Sequence, residues 1–328
     1  MNMTNYSDAL FQKLKGKKIL FIGVKFYYFN EEIIKKMKHY GADVTFFYER
    51  DTSLKYGIIK NLSNKYADQL QDQHYRNILE KVKTVDFDFL FVIRGYKMEP
   101  WFISFLKERI PAMKTIMYQW DAYKNWDCDY RPLISSFDVV KTFDYLDAEE
   151  LGLEYVPTFH TDEFKNLPQE RPIYDLFYFG GYSYPRYQLL QDLLKYTNEK
   201  GYKLKTHLAI SRLYYFKERV FGRKLDASIL SFKKLPKNEY IHLFNQSLII
   251  IDYTNEAQSG ITMRTLDALG AGKKVLTSNA FIKREPDYDP KQVQVFDPRN
   301  IHINPDFVKY ETFAPKDYSI ERWLNQLF

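Results

Sequence analysis

The feature that most constrains this chain is a recurrence of short, continuously apolar runs separated by segments of helical periodicity. Residues 18–24 (KILFIGV), 88–94 (DFLFVIR) and 114–120 (KTIMYQW) are apolar without alternation. That is the pattern of strands buried on both faces of a parallel sheet. Between them, Asn30 reads as the N-cap of a helix, EEIIKKMKHYG, that ends at Gly41. Residues 43–48 read as a second strand, 53–83 as mostly helical and 100–108 as a helix. A short strand at 139–143, a short helix at 148–151 and a strand at 154–159 complete the set. Residues 161–173 (TDEFKNLPQERPI) are polar, hold two prolines and lack periodicity, so they read as a linker. The alternation then resumes. Strands are expected at 175–179, 203–210, 248–253 and 274–278, and helices at 186–198, 239–245 and 263–269, with a terminal helix at 319–327. Strand–helix–strand repetition of this kind predicts an α/β chain with a doubly wound parallel sheet in each half. A length of 328 residues suits two domains.

Composition narrows the function classes. Hydrophobic residues make up 45% and charged residues 27%, as in a folded globular protein. No apolar run approaches the roughly 20 residues that span a bilayer. The first 18 residues lack a signal-peptide apolar stretch, and Cys128 is the single cysteine, so a cytoplasmic protein without disulfides is expected. The net charge of +6 suits anionic small molecules or an anionic membrane surface. No zinc-ligand spacing, recognition helix or RNA-binding motif accompanies it, so no nucleic-acid partner is expected. Gly23 stands alone after the first strand, where a dinucleotide fingerprint needs three glycines. The run GAGKK at residues 270–274 has the wrong spacing and the wrong element order for a phosphate loop. Three Asp-x-Asp triplets (Asp86/Asp88, Asp127/Asp129, Asp287/Asp289) lie in three unrelated contexts, so no metal site is expected.

The informative stretch is residues 248–279, LIIIDYTNEAQSGITMRTLDALGAGKKVLTSN. A buried strand runs through a polar loop into a helix for which Thr262 is a plausible N-cap, and Gly270 and Gly272 end that helix. Open N–H groups at a helix start bind anions. Arg264 in the first turn adds a guanidinium fork suited to a diphosphate, and Asp267, a turn on, suits two ribose hydroxyls. The alternative is a capped surface helix with Arg264 and Asp267 paired at i,i+3. Spacing leaves the two open.

Residues 258–279 (QSGITMRTLDALGAGKKVLTSN) resemble the donor-site motif of GT-B glycosyltransferases. They are most similar to the CgeB-like branch of capsule, exopolysaccharide and lipopolysaccharide biosynthesis. FLFVIRG, IMYQWDAYKN and FDVVKTFDYLDAEELGLEYVPTF in residues 89–159 add weaker similarity. The resemblance implies two Rossmann-like domains facing each other across a cleft. Residues 1–160 would be the acceptor domain, 161–173 the linker, 174–315 the donor domain, and 316–328 a helix packing back on the first. It implies a nucleotide-sugar donor with no other cofactor. Backbone groups from Gly260 to Thr262 and the side chain of Arg264 would hold the diphosphate, Asp267 the ribose, with Ser259 also in the donor site, and residues 232–235 would lie near the base. Gly180, Gly181, Ser183 and Arg186 resemble the first loop of the donor domain. Ser259 stands where many of these enzymes carry a second Glu, which argues against a retaining mechanism built on an acidic pair.

An inverting transfer needs a general base from the first domain. Asp121, after the strand at 114–120, is the first choice, with Trp120 and Trp126 expected to desolvate it. His160 is the second choice, and Arg94 is placed to hold the acceptor. The acceptor is expected to be a glycan or a lipid-linked sugar. The basic and aromatic stretch RLYYFKERVFGRK (residues 212–224) suits peripheral association with the inner face of a plasma membrane. The competing readings are a nucleotide-sugar epimerase and a non-catalytic nucleotide- or sugar-binding protein on the same fold.

Overall fold

The computed structural model describes residues 3–25, 28–125, 129–165, 167–168 and 170–328. The chain forms two compact units. The first comprises Met1–Thr158, Glu256–Gly260 and Ser319–Phe328, the second Phe159–Asn255 and Ile261–Tyr318. In chain order the first unit holds α1 (Met3–Leu14), β1 (Lys18–Gly23), α2 (Phe29–His39), β2 (Asp43–Tyr48), α3 (Leu54–Ile59), α4 (Asn64–Val82), β3 (Phe89–Ile93), α5 (Pro100–Arg109), β4 (Lys114–Gln119), β5 (Val139–Thr142), α6 (Tyr145–Leu151) and β6 (Glu154–Tyr155). The second holds α7 (Asp162–Lys165), β7 (Tyr174–Gly181), α8 (Tyr184–Lys200), β8 (Leu204–Ala209), α9 (Arg212–Val220), β9 (Leu230–Ser231), α10 (Lys237–Asn245), β10 (Ser247–Asp252), α11 (Met263–Gly270), β11 (Lys274–Thr277) and β12 (Val293–Val295). The last helix, α12 (Ile320–Leu327), belongs to the first unit.

Each unit is built on a six-stranded sheet, ordered β2-β1-β3-β4-β5-β6 in the first and β12-β11-β10-β7-β8-β9 in the second. Every pairing is parallel. Parallel sheets are covered on both faces, which is why β1, β4 and β10 read as unbroken apolar runs. In the first unit, Leu20, Val92 and Met117 pack against Tyr75 and Ile78 of α4 and Phe102 and Leu106 of α5. On the other face Trp323 of α12 meets Phe91 and Tyr118, with ring centroids 5.9 and 5.1 Å apart. In the second unit, Leu176, Ile249, Ile251 and Leu276 form the core with Leu190 and Leu193 of α8.

The strand orders fix where a ligand can sit. In the first sheet the chain leaves β1 for β2 on one side and returns to β3 on the other. In the second it leaves β7 for β8 and β9 and returns to β10. The crevice outside the carboxyl ends of the strands, at such a switch point, is where open α/β sheets bind ligands.

Several local expectations are corrected. Asn30 lies inside the first turn of α2, and its side chain instead donates to the carbonyl of Val24. The strand expected at 154–159 keeps only Glu154–Tyr155 in the ladder, though residues 156–159 are buried. The segment expected as a linker begins with α7, whose Phe164 is buried against Phe244 of α10. Helix α1 and strands β9 and β12 had no counterpart in the sequence reading; β9 and β12, with two and three residues at the sheet's edges, carry too few residues for a periodic signal.

Candidate functional sites at the two switch points

In the second unit the switch point lies between β7, ending at Gly180–Gly181, and β10, ending at Asp252. Asp252 is fully buried. Its Oδ1 accepts from Thr262 Oγ1 (2.8 Å) and Arg264 Nη1 (2.7 Å), and its Oδ2 from Thr254 Oγ1 (2.9 Å) and Thr277 Oγ1 (3.2 Å). Thr262 is also the N-cap of α11, accepting from the N–H of Thr265. The anion that offsets a basic residue at this helix start is therefore a side chain. The alternative of an Arg264–Asp267 pair on a surface helix is corrected: Arg264 pairs with Asp252, and Thr265–Gly270 are buried. Asp252 went unrecognised in the sequence. Its signal was a carboxylate closing an apolar strand.

Among the described residues, three buried polar atoms here have no hydrogen-bond partner: Arg264 Nε, Tyr178 Oη and Asp267 Oδ1. The Arg264 guanidinium lies 5.6 Å from the centre of the Tyr178 ring. Asp267 is held by the backbone N–H of Thr161, and burial pushes its carboxyl well above the usual range, with Arg264 opposing and Glu163 reinforcing the rise. The first-loop residues form one corner beside them. Ser183 caps α8 by accepting from the N–H of Arg186, and Arg186 Nη1 donates to the carbonyl of Gly181 (3.1 Å). A Cβ on Gly180 would lie 2.9 Å from the Tyr178 hydroxyl, so the chain crosses that hydroxyl only as glycine. Gly180, Gly181, Ser183, Arg186, Thr262 and Arg264 thus gather around the ends of β7 and β10.

Ser259 and Gly260 do not join them. Both lie in the first unit, where Asp144 takes their donors. Ser259 N–H and Gly260 N–H donate to Asp144 Oδ2 (2.7 and 2.9 Å), and Ser259 Oγ donates to Oδ1 (2.6 Å). Asp144 is also the N-cap of α6. The expectation that these N–H groups face a diphosphate is corrected: a buried carboxylate already satisfies them. Gly260 is there for packing, since a Cβ would lie 2.3 Å from the Phe143 ring.

In the first unit the switch point lies between β1, ending at Gly23, and β3, followed by Arg94. Arg94 has φ of +70°, in the left-handed region that costs a non-glycine residue energy and often marks a functional position. Its N–H donates to the carbonyl of Tyr118 (3.0 Å), and its carbonyl accepts from Gln119 Nε2 (2.9 Å). Its guanidinium reaches carboxylates from two other strand ends. Nη1 is 2.9 Å from Asp121 Oδ2, after β4, and Nε is 3.5 Å from Glu49 Oε1, after β2. Glu49 Oε2 accepts from the N–H of Tyr96 (2.8 Å). Burial pushes Glu49 up to about 7, against the pull of Arg94, the Tyr96 N–H and Arg50. The side chain of Asp121 is 35% exposed and that of Arg94 16%, so only Asp121 of the two carboxylates reaches solvent. Of the two rings expected to desolvate Asp121, Trp126 lies outside the described residues, and the Asp121 side chain stays 35% exposed beside Arg94.

His160 is 1% exposed, its backbone N–H donates to Tyr318, and its ring lies where a Cβ on Gly270 would be only 2.4 Å away. Burial lowers its pKa. As a base for a solvent-borne acceptor it is corrected to a packing residue. Of the Asp-x-Asp carboxylates, Asp86 pairs with Arg109, Asp88 with Lys17 and Asp129 with Arg131. Trp126, Asp127 and Cys128 lie outside the described residues. Among the described residues no helix is long and apolar enough to cross a membrane.

No family model and no curated protein matches this chain. Solved structures do. The lipopolysaccharide outer core galactosyltransferase WaaB is 14% identical over 79% of this chain and 80% of its own, with a TM-score of 0.47. The UDP-GlcNAc 2-epimerase of Methanocaldococcus jannaschii is 8% identical over 94% and 98%, with a TM-score of 0.49. A glycosyltransferase from Rickettsia africae ESF-5 is 15% identical over 87% of this chain and 85% of its own, with a TM-score of 0.53. With its two six-stranded parallel sheets, the chain has the GT-B fold of two Rossmann-like domains.

Proposed function

We propose that this chain is a metal-independent, inverting glycosyltransferase. It would move a sugar from a nucleoside-diphosphate sugar to a glycan or lipid-linked acceptor in surface polysaccharide synthesis, at the inner face of a plasma membrane. The observation that supports it most is the set of unpartnered buried groups at the β7/β10 edge: Arg264 Nε and Tyr178 Oη as donors and Asp267 Oδ1 as acceptor. A diphosphate accepts from the first two, and a ribose hydroxyl donates to the third. As the nucleoside diphosphate leaves, its growing charge is met by Arg264 and the N-terminal N–H groups of α11, fixed before reaction. In the first unit Asp121 takes the proton of the attacking hydroxyl as the new glycosidic bond forms. Arg94 orients that carboxylate, and Glu49 holds Arg94. His160 takes no part.

Calorimetry with UDP, GDP and inorganic diphosphate tests the donor site. Binding of a nucleoside diphosphate is expected, with Asp267→Asn weakening it while inorganic diphosphate binds as before. Wild-type affinity in that variant would place the nucleotide elsewhere. Binding without any transfer or donor hydrolysis would favour the non-catalytic reading. Turnover is expected to survive EDTA, and rescue of an EDTA-inactivated enzyme by manganese would overturn metal independence.

A further inference from the structure

Helix α9 turns Tyr215 onto the core of the second unit and beside it buries a carboxylate: Glu218 is 6% exposed, accepts from the Tyr182 hydroxyl (2.7 Å) and pairs with Arg223. Its outward side carries an apolar stripe. Leu213, Phe216 and Val220, spaced to share one helical face, are 83%, 63% and 84% exposed, and Phe221 beyond the helix end is 72% exposed. Water is a poor solvent for such a face. Basic residues flank it. Residues 212–224 carry Arg212, Lys217, Arg219, Arg223 and Lys224 against the single acid Glu218, which is already satisfied inside the unit. Next to the helix end, Arg219, Arg223 and Lys224 line a cavity of about 410 Å³ open to solvent.

We propose that α9 and the turn after it form the surface by which this protein docks on an anionic lipid bilayer. Leu213, Phe216, Val220 and Phe221 enter the interfacial layer, and Arg212, Lys217, Arg219 and Lys224 meet the headgroup phosphates, Arg223 being held by Glu218. Both parts are needed. An apolar helix face gives a partition that scales with buried area, and lysines and arginines near a negatively charged leaflet add attraction that salt screens. The excess of basic over acidic groups favours lipid over a second copy of the same face, since two such surfaces repel. The inference deepens the proposed membrane location and is read without catalysis, so its failure leaves the donor-site reading intact.

The test is cosedimentation of the full chain with vesicles of phosphatidylcholine alone and of phosphatidylcholine mixed with phosphatidylglycerol. Binding is expected only to the anionic vesicles and should fall as salt rises. Leu213→Ser/Phe216→Ser and Lys217→Glu/Arg219→Glu, both at exposed positions, should each weaken it by about tenfold or more. Nucleoside diphosphate binding, measured in parallel, should be unchanged and reports that both variants are folded. Equal binding by the variants would overturn the proposal. So would no binding to anionic vesicles at low salt, or concentration-dependent self-association that the apolar variant abolishes.

Discussion

The Asp252–Arg264 pair makes the sharpest prediction, because one partner is fully buried and the other is not. Arg264→Ala leaves the Asp252 carboxylate inside the second unit with its three threonine hydroxyls but no cation. Breaking a buried pair from one side typically costs about 3–5 kcal/mol. The hydroxyls that remain place the expected loss near the lower end, about 3 kcal/mol. Asp252→Asn is different. It removes the charge that needs solvation, and Arg264, whose side chain is 18% exposed, can turn toward water. The expected cost is about 1.5–3 kcal/mol for a lost charge-assisted hydrogen bond. The double variant leaves no unpaired charge, so its loss should fall short of the sum of the single losses by about 2 kcal/mol. The assay is urea unfolding of the full chain, comparing the midpoint of the transition that the substitutions move, since two units need not unfold together. If the three losses add within about 0.5 kcal/mol, the two side chains are not coupled and the reasoning fails. Arg264→Ala should also weaken nucleoside diphosphate binding by roughly ten- to a hundredfold.

Asp121→Asn keeps the size of the side chain and removes the base; turnover should drop by roughly 10²–10⁴-fold with donor affinity unchanged, and near-normal turnover would place the base elsewhere. Glu49 holds its proton more tightly folded than unfolded. The Glu49 contribution to stability should therefore be full below the ordinary glutamate range and be lost as pH rises to about 7, by up to about 3 kcal/mol. Thermal melts of wild type and Glu49→Gln should differ by an amount that changes over that range, and a difference independent of pH would contradict the burial argument. Gly260→Ala forces a Cβ onto the Phe143 ring and should cost about 1–3 kcal/mol, whereas Gly57→Ala in α3, with open space around its Cβ, should cost nothing measurable by the same melt.

Much of the architecture was legible because a strand buried on both faces declares itself locally. The runs at β1, β3, β4 and β10 need no partner in view to be recognised. The Thr262 cap was legible for a similar reason: a hydroxyl residue just ahead of a helix has one common use. The basic and aromatic stretch at 212–224 was visible as composition, but not which side of α9 faced water.

What the sequence could not supply was the order of the strands, and with it the company each strand-end residue keeps. Arg94 was read as an acceptor ligand and Asp121 as a lone base. They meet each other and Glu49 only because β3 lies between β1 and β4, with β2 beyond β1. Asp252 and Arg264 are twelve residues apart, yet the loop between them passes through Ser259 and Gly260, which the other unit claims through Asp144. A helix-start motif therefore looked like one continuous anion site when only its second half stayed open. Periodicity and caps are properties of a few neighbouring residues, so the sequence alone determined two parallel α/β sheets and the edges at which chemistry could occur. Which carboxylate satisfies which donor depends on sheet order and on distances through space, and only the tertiary structure decided it.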